Sequence, residues 1–391
     1  MKKEDNRRKN SSLTRRNFLK LTAGAGAALA GGVGAPLIAR SQEKEYVRPV
    51  GEPIHMFAWS YAVDMIRRHN RKFEMKYKIP VALGALPTGA KYIDLMIANF
   101  IAGTQVDMMY LADWYLLPFQ ASGWIVPYTA CKCYKEWEPK LKEYIDDMED
   151  FFKRIWVRDG VLWGLPYYTS AWSISYNETM YKKVGITKYP QTWDEVKEQG
   201  LEFKKQKILR YPYTWDLGKG WWLSYQINSM VFSEGAENFD GNLEPLMDKP
   251  GSTWQEKIEW CLDAMHTWKI LDPKSLELNE AENWRNMANG GSVMTMSPRY
   301  RIAQIANHGK FKAIGGKTAV SLIPGKAHGS VSWTRGYAFT KFTKHPDTWK
   351  LIDYLGGKGI DGVYTNAIDR MKEKGLDGGY KSLWKNPVII R

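Results

Sequence analysis

Apolar positions follow two different periods in the chain after residue 50. Short, mostly apolar runs, typical of buried parallel strands, lie at 54–58, 81–83 and 106–111. Segments with apolar residues at helical spacing follow these runs, at 63–75, 92–101 and 115–121. Because strands and helices alternate, the pattern predicts a doubly wound α/β body.

The stretch 159–196 has the pattern of a chain that passes from one compact body to another. Two apolar runs, 161–166 and 172–176, flank the segment 167–171, which is aromatic and then small. We expect a crossing between two bodies at this segment.

Two helices with clear ends are predicted in the same stretch. The first, 178–184, ends at Gly185, a residue suited to the left-handed position after a helix. The second begins after Thr192, which is a good N-cap, and Glu195 completes a capping box.

The α/β pattern continues through the rest of the chain. Further helices are predicted at 194–205, 223–232, 253–269, 283–289 and 345–356. Further strands are predicted at 292–296, 319–324 and 330–339.

Three parts of the stretch 159–196 together resemble a family signature. They are Tyr176-Asn177, the turn at Gly185 and the string Pro190-Gln191-Thr192-Trp193-Asp194-Glu195. The combination resembles the sugar-class extracellular solute-binding proteins, which are the capture components of ABC importers and relatives of maltose-binding protein. A second match to the family pattern comprises Gly103-Thr104, Asp107, Gly123 and Pro127. The alternative interpretation is an unrelated α/β hinge segment with a capped helix.

The resemblance implies a type II periplasmic-binding-protein-like fold, with two α/β lobes joined by hinge crossings. It places lobe 1 at 45–169 plus 298–333 and lobe 2 at 170–297 plus 334–391. It further implies a monomer that binds its solute between the lobes, delivers it to a membrane ABC permease and catalyses no reaction. Family members normally continue with more helices, so we expect either a fragment truncated at its C-terminus or an unusually short member.

Residues 1–41 are predicted to be a twin-arginine signal peptide. Thr14-Arg15-Arg16-Asn17-Phe18-Leu19-Lys20 matches the export pattern, and the apolar segment 21–38 after it is diluted by glycine. Ala39-Arg40-Ser41 predicts cleavage before Gln42, and the alternative is an uncleaved anchor. We therefore expect the Tat translocase to be a partner during export, and the mature protein to act in the periplasm or on the extracellular face.

Charge gives no sign of nucleic-acid binding. The net charge is +14, but residues 1–41 carry nine basic and two acidic residues, which leaves +7 for the rest. That remainder has no block rich in lysine and arginine, so a solvated basic surface is the simpler interpretation.

No catalytic or metal motif is present. The six histidines are scattered, and the sequence contains no HExxH, GxSxG or Walker pattern. We therefore expect no cofactor and no metal. Cys131 and Cys133 are close together for a relaxed bridge, so we expect reduced or partly buried thiols there and at Cys261.

The candidate ligand-binding residues lie at predicted strand ends and crossings. Ligands bind beyond the carboxyl ends of strands in open α/β sheets, which selects Trp59, Ser60, Asp113 and Trp114. The crossing segments and the aromatic stretch 211–222 add Tyr167, Tyr168, Ser170, Trp172, Trp215, Trp222, Trp333 and Arg335. The resemblance adds Arg299, after a strand whose end often meets the ligand.

These residue types suit a carbohydrate, meaning a sugar, oligosaccharide or polyol. Aromatic rings bury the C–H faces of a sugar, while Asp, Arg and Ser bind its hydroxyl groups. Each aromatic residue alone could equally belong to the core. Two alternatives stay open: a protein of this fold that binds an organophosphate, polyamine or ferric complex, and a Tat-exported carbohydrate-active enzyme. Arg299 and Arg335 together would favour an anion.

Overall fold

The computed structural model describes residues 46–87 and 90–390. The predicted signal peptide lies outside the described residues. The described residues from 47 onward belong to one compact unit.

Ten strands and fifteen α-helices occur in the described residues. The strands are β1 (Ile54–Trp59), β2 (Val81–Leu86), β3 (Met108–Ala112), β4 (Ile125–Val126), β5 (Val157–Arg158), β6 (Val161–Leu162), β7 (Leu165–Asn177), β8 (Met294–Pro298), β9 (Thr318–Ser321) and β10 (Ser332–Thr340). The helices are α1 (Val63–Tyr77), α2 (Ala90–Ile101), α3 (Leu116–Ala121), α4 (Tyr134–Asp147), α5 (Asp150–Trp156), α6 (Glu178–Lys183), α7 (Trp193–Lys205), α8 (Trp221–Ser233), α9 (Thr253–His266), α10 (Glu280–Ala288), α11 (Arg299–Asn307), α12 (Gly309–Ala313), α13 (Thr348–Gly356), α14 (Thr365–Lys374) and α15 (Pro387–Ile390).

One eight-stranded sheet organises the molecule. Its order is β2-β1-β3-β10-β7-β8, with β4 pairing to β10 and β9 pairing to β7. β1 runs parallel to β2 and β3, whereas β10 is antiparallel to both β3 and β7. The fold is therefore α/β with a mixed sheet, in which the predicted parallel part is confined to β2, β1 and β3.

Strand β7 divides this sheet into two halves. Its residues 165–171 pair with β10, whereas its residues 172–177 pair with β8 and β9. We call β2, β1, β3, β4, β10 and residues 165–171 the "first half" of the sheet. The "second half" is residues 172–177 with β8 and β9. The predicted crossing at 167–171 is thus part of one continuous strand of 13 residues.

Two predicted helix ends are confirmed by their local geometry. Thr192 accepts a hydrogen bond from the backbone N–H of Glu195, and the Glu195 side chain accepts from that of Thr192, which completes the capping box of α7. Gly185 has a φ of 77°, the left-handed conformation that ends the preceding helix.

Two other predicted boundaries are shifted by local hydrogen bonds. Helix α13 begins at Thr348 rather than at 345. The reason is a turn in which the Thr348 hydroxyl donates to the His345 carbonyl oxygen at 2.8 Å. Helix α10 begins at Glu280 rather than at 283, because Asn279 forms a capping box there.

The expectation of free thiols at Cys131 and Cys133 is wrong, because a disulfide joins them. Cys131 follows a short 3-10 helix in an extended conformation, and Cys133 returns to a helical one. This bend brings the two Cα atoms to 5.2 Å, within the range that a disulfide requires. Cys261 is free and buried, as expected.

The contacts of two late segments differ from the predicted lobe assignment. β9 and α11, within 298–333, belong with the second half, since β9 pairs with β7 at 174–177. Residues 334–361 return to the first half: β10 pairs with β3, and the Asp353 carboxylate accepts hydrogen bonds from Lys140 and Tyr144.

Candidate functional site

A cavity of about 340 Å³ lies between the two halves of the sheet, at the carboxyl ends of β1 and β3. From the first half and its helices, the lining residues are Trp59, Tyr61, Ile66, Tyr110, Trp114, Tyr167, Tyr168, Trp333 and Arg335. From helices on the second half, they are Trp221, Trp222, Tyr225, Asn279, Glu280, Ala281, Tyr300 and Arg301. The volume is at the lower end of the range for small-molecule sites, ~300–1,000 Å³.

Helices α8 and α10 are fixed to the second half by buried polar side chains. Gln226 on α8 and Asn283 on α10 both donate to the Met296 carbonyl oxygen of β8, at 3.3 and 3.4 Å. Both side chains also donate to the buried Asp216 carboxyl. The residues that α8 and α10 present to the cavity therefore move with the second half.

Aromatic rings pack against one another around most of the cavity. The ring centroids of Trp59 and Tyr110 are 4.8 Å apart, and those of Tyr110 and Tyr167 are 5.1 Å apart. On the other side, Tyr225 and Trp333 are stacked with centroids 6.0 Å apart. Because each ring is held by its neighbours, the cavity presents preformed apolar faces.

Arg335 is the buried cation of the first-half wall. Its side chain is 3% exposed, and its Nη1 donates to Oδ1 of Asp113 at 3.2 Å and to the Thr334 carbonyl oxygen at 2.7 Å. The guanidinium carbon lies 3.9 Å from the centroid of the Trp114 ring. Burial raises the pKa of the Asp113 carboxyl, although Arg335 and hydrogen bonds from Thr334 and Trp114 oppose that shift.

Glu280 and Arg301 form the second charged pair. Nε and Nη2 of Arg301 donate to the two oxygens of Glu280, at 2.8 and 2.9 Å, and the Tyr300 hydroxyl donates to the same carboxylate at 2.9 Å. Burial, followed by the charge of Glu280, raises the pKa of Tyr300 well above its ordinary value. The Tyr300 hydroxyl is therefore protonated at neutral pH, and both oxygens of Glu280 are already engaged.

Seven of the predicted ligand-binding residues line this cavity: Trp59, Trp114, Tyr167, Tyr168, Trp222, Trp333 and Arg335. Asp113 lies behind them and holds Arg335. Contact of these side chains with a solute stays a prediction.

The other predicted residues lie elsewhere. Ser60 is exposed at the end of β1, and Ser170 is buried in β7. Trp172 is 2% exposed and packs beside Tyr225 and Trp333. Trp215 is fully buried and stacked on Trp260.

Arg299 is engaged outside the cavity. It forms an ion pair with Asp377 at 3.0 Å, and its guanidinium group lies over the Trp384 ring. Of the two arginines that together would favour an anion, Arg335 lines the cavity and Arg299 does not.

Sequence reasoning did not select several lining residues: Tyr61, Ile66, Tyr110, Trp221, Tyr225, Asn279, Glu280, Ala281, Tyr300 and Arg301. Two of them could have been found from the sequence, because Tyr61 follows Ser60 and Trp221 precedes Trp222, which were both selected. Glu280 could have been found from the Asn279-x-x-Glu282 capping box, which moves the start of α10 to the cavity edge.

Within 46–87 and 90–390, no group of three or more His, Cys, Asp or Glu side chains is arranged to hold a metal ion. None of the helices in these ranges is both long enough and apolar enough to span a membrane.

The chain matches the family model described as "Bacterial extracellular solute-binding protein" over residues 77–360. Among solved structures, maltose-bound MalE3 of T. maritima is similar, with a TM-score of 0.72 and 18% identity over 86% of this chain and 84% of that chain. A solute-binding protein of Agrobacterium radiobacter K84 in complex with ribitol has a TM-score of 0.71 and 15% identity over 88% and 84%. UgpB of Mycobacterium tuberculosis, in complex with glycerophosphocholine, has a TM-score of 0.69 and 16% identity over 87% and 82%. These likenesses identify the fold as that of type II periplasmic binding proteins, with two α/β lobes.

Proposed function

This chain belongs to the bacterial extracellular solute-binding proteins, and from that premise we propose that it captures a carbohydrate and delivers it to a membrane ABC permease. The carbohydrate is a sugar, an oligosaccharide or a polyol, held in the aromatic cavity between the two halves of the sheet. The family is extracellular, so the place of action is the periplasm or the cell exterior.

The aromatic lining of the cavity carries this proposal. Trp59, Tyr168 and Trp333 on one side and Trp222 and Tyr225 on the other provide flat apolar faces that suit the C–H faces of a sugar ring. Arg335 and Arg301 provide polar groups beside those faces. The maltose complex of the Thermotoga protein and the ribitol complex of the Agrobacterium protein are consistent with a ligand of this class.

We also propose that binding is not followed by catalysis. Hydrolysis of a glycosidic bond ordinarily needs two carboxyl groups that flank it. Among the described lining residues, the one carboxylate is that of Glu280, and Arg301 holds it in a two-point ion pair.

Lobe boundaries that follow the observed contacts are part of the proposal. Lobe 1 consists of the first half with residues 334–361, and lobe 2 consists of the second half with helices α6 to α12.

The protein works as a monomer after export through the Tat translocase. Replacing Arg15 and Arg16 with lysine should then leave the precursor in the cytoplasm, and normal export of that variant would contradict the route.

The direct test is a thermal-shift screen followed by calorimetry with sugars, polyols, phosphate esters and polyamines. We expect at least one carbohydrate to raise the melting temperature and to bind with one site per chain. Trp333→Ala should weaken that binding. A protein that binds a polyamine or a phosphate ester and no carbohydrate would overturn the proposal.

A further inference from the structure

Three buried polar atoms on the first-half wall of the cavity have no hydrogen-bond partner among the described residues. They are Nε1 of Trp59, the hydroxyl oxygen of Tyr110 and Nε of Arg335. They lie close together, since the Trp59 and Tyr110 ring centroids are 4.8 Å apart and the Arg335 guanidinium carbon is 5.6 Å from the Trp59 centroid. All three residues line the cavity. The three atoms themselves are buried, so a bound solute can supply the missing partners once the side chains that cover them shift.

The three unpartnered groups are hydrogen-bond donors. The indole and guanidinium N–H groups of Trp59 and Arg335 can only donate. Burial raises the pKa of Tyr110 well above its ordinary value, so its hydroxyl keeps its proton at neutral pH and is a third donor. A solute that satisfies this corner must therefore present acceptor atoms.

The orientation of Arg335 leaves one side of its guanidinium group free. Both of its hydrogen bonds to described residues use Nη1, one to Asp113 and one to the Thr334 carbonyl oxygen. The unpartnered Nε belongs to the edge with which arginine forms paired hydrogen bonds to carboxylates.

The ion pair with Asp113 leaves Arg335 able to bind a second anion. Its carboxylate also accepts from the backbone N–H of Thr334 at 2.6 Å and from that of Trp114 at 3.0 Å. It therefore keeps other donors when Arg335 shares its charge with a second anion.

The one carboxylate among the described lining residues, that of Glu280, already accepts hydrogen bonds. Both oxygens of Glu280 are engaged by Arg301, and the Tyr300 hydroxyl donates to one of them. A sugar hydroxyl has to donate as well as accept, whereas a carboxylate only accepts. An ionised carboxylate thus fits this corner better than a hydroxyl does.

We propose that the solute is an acidic carbohydrate, such as a uronic acid, whose carboxylate binds the Nε edge of Arg335 and accepts from Tyr110 and Trp59. This rests on the proposed carbohydrate function and narrows it. The aromatic faces hold the sugar ring, and the donor corner selects for the acid over its neutral parent.

Calorimetry on paired ligands tests the selectivity. The probes are D-glucuronate, D-galacturonate and D-mannuronate with short oligomers of each, every one beside its neutral parent sugar, and glucose 6-phosphate as a phosphate ester. We expect at least one uronate to bind tenfold or more tightly than its parent. Equal or tighter binding of the neutral parent sugars would overturn the proposal that the solute is an acidic carbohydrate, but not the proposed carbohydrate function. Tighter binding of the phosphate ester than of the uronates would have the same consequence. If no carbohydrate in the panel binds, both proposals fail.

Tyr110→Phe tests the binding position. The Tyr110 hydroxyl lies near Tyr168 and Arg335 but forms no hydrogen bond of good geometry in the free protein. Its removal should therefore change the melting temperature little, while weakening the uronate about tenfold and the neutral parent little. Tyr181→Phe is the matched control, because that residue is also buried, its hydroxyl donates to the sulfur of Met294 at 3.9 Å, and it lies outside the cavity lining. A Tyr110→Phe protein that binds the uronate with wild-type affinity would overturn the docking position.

Arg335→Lys is a second, independent test of the proposed carboxylate site. Lysine keeps a cation beside Asp113, so the fold is retained, but it has no paired N–H edge. The preference for the acid over its parent should fall by at least tenfold, and an unchanged preference would overturn the role of Arg335.

Discussion

Substitutions of two tryptophans can distinguish a residue that binds solute from one that packs in the core. Trp222 lines the cavity, and Trp172 lies behind its wall. Trp222 is half-buried and lines the cavity, so Trp222→Ala should lower affinity by ~2 kcal/mol, or about thirtyfold, with a small effect on unfolding. Trp172 is 2% exposed behind Trp333 and Tyr225. Trp172→Ala should therefore lower the free energy of unfolding by ~3–5 kcal/mol.

Calorimetry and urea unfolding on both variants measure these two quantities. The expected result is a crossed pattern, in which each variant loses mainly one of them. A Trp172→Ala protein of wild-type stability with strongly reduced affinity would instead place that ring in the binding site.

Asp377 should make stability depend on pH. It is nine-tenths buried beside Arg299, with Glu149 also facing it, and burial raises its pKa to about 7. Below about pH 4 the carboxyl group is protonated in both the folded and the unfolded chain. Between that pH and 7 the folded state binds the extra proton, so the stabilisation is present at low pH and is lost as pH rises through 7.

The variant Asp377→Asn isolates this effect, because asparagine resembles the protonated carboxyl at every pH. The free energy of unfolding of the wild type, minus that of the variant, should fall by at most ~1.4 kcal/mol per pH unit between pH 5 and 7. Urea denaturation at several pH values measures it. A difference that stays constant with pH would show that Asp377 ionises normally.

At the residue level, sequence alone located one wall of the cavity better than the other. The strand-end rule selected Trp59 and Trp114 because β1 and β3 end there. Glu280 was not predicted as a lining residue because its position depends on where α10 begins. The N-cap at Asn279 sets that start. The pairing of Arg335 with Asp113 joins residues 222 apart in sequence, which no local pattern records.

Helix α7 provides a test at the level of a single element. Thr192 and Glu195 form its capping box, which satisfies two backbone N–H groups at the helix start. Thr192→Ala should lower the free energy of unfolding by ~1 kcal/mol, because one of those groups loses its acceptor. Urea unfolding measures the change, with the exposed Thr187→Ala as a control that should show almost none. Equal stability of the two variants would mean that the cap contributes nothing.

Strand β7 shows why element boundaries were harder to predict than element types. The pattern separated 161–166 from 172–176 by an aromatic and small segment, which looks like a gap in the sheet. The intervening residues remain in a strand because β10 pairs with them from Leu165 to Ala171. That partner comes from residues more than 150 positions later, so the continuity of β7 is a long-range property of the fold.

At the scale of the whole molecule, strand β10 determines where the segment that follows it packs. After β9 in the second half, β10 begins beside Ala171, where the two halves meet, and ends beside Ile125 of the first half. Helix α13 then packs on α4 through the hydrogen bond from Lys140 to Asp353. The resemblance predicted that hinge crossings join two lobes, but the direction of β10 determines which half of the sheet each segment joins.

Closure of the two lobes is the last expectation, and an aromatic contact across the cavity mouth supports it. Trp114 of the first half and Trp221 on α8 meet edge to face, with ring centroids 5.6 Å apart. Both rings are partly exposed, at 36% and 45%, so the contact is available to break when the lobes separate. Such a pair contributes ~0.5–1.5 kcal/mol, which would stabilise the closed form over the open one.

We therefore expect a saturating carbohydrate ligand to reduce the radius of gyration measured by small-angle scattering. Trp221→Ala should accelerate ligand dissociation about threefold to tenfold in stopped-flow fluorescence, with little change in association, because the lost contact belongs to the closed state. Leu223→Ala is the matched control, since it removes a similarly exposed apolar side chain from the same helix, outside the cavity lining. A radius that ligand leaves unchanged would argue against closure. Equal dissociation rates for the two variants would mean that the tryptophan pair does not hold the closed form, whatever the lobes do.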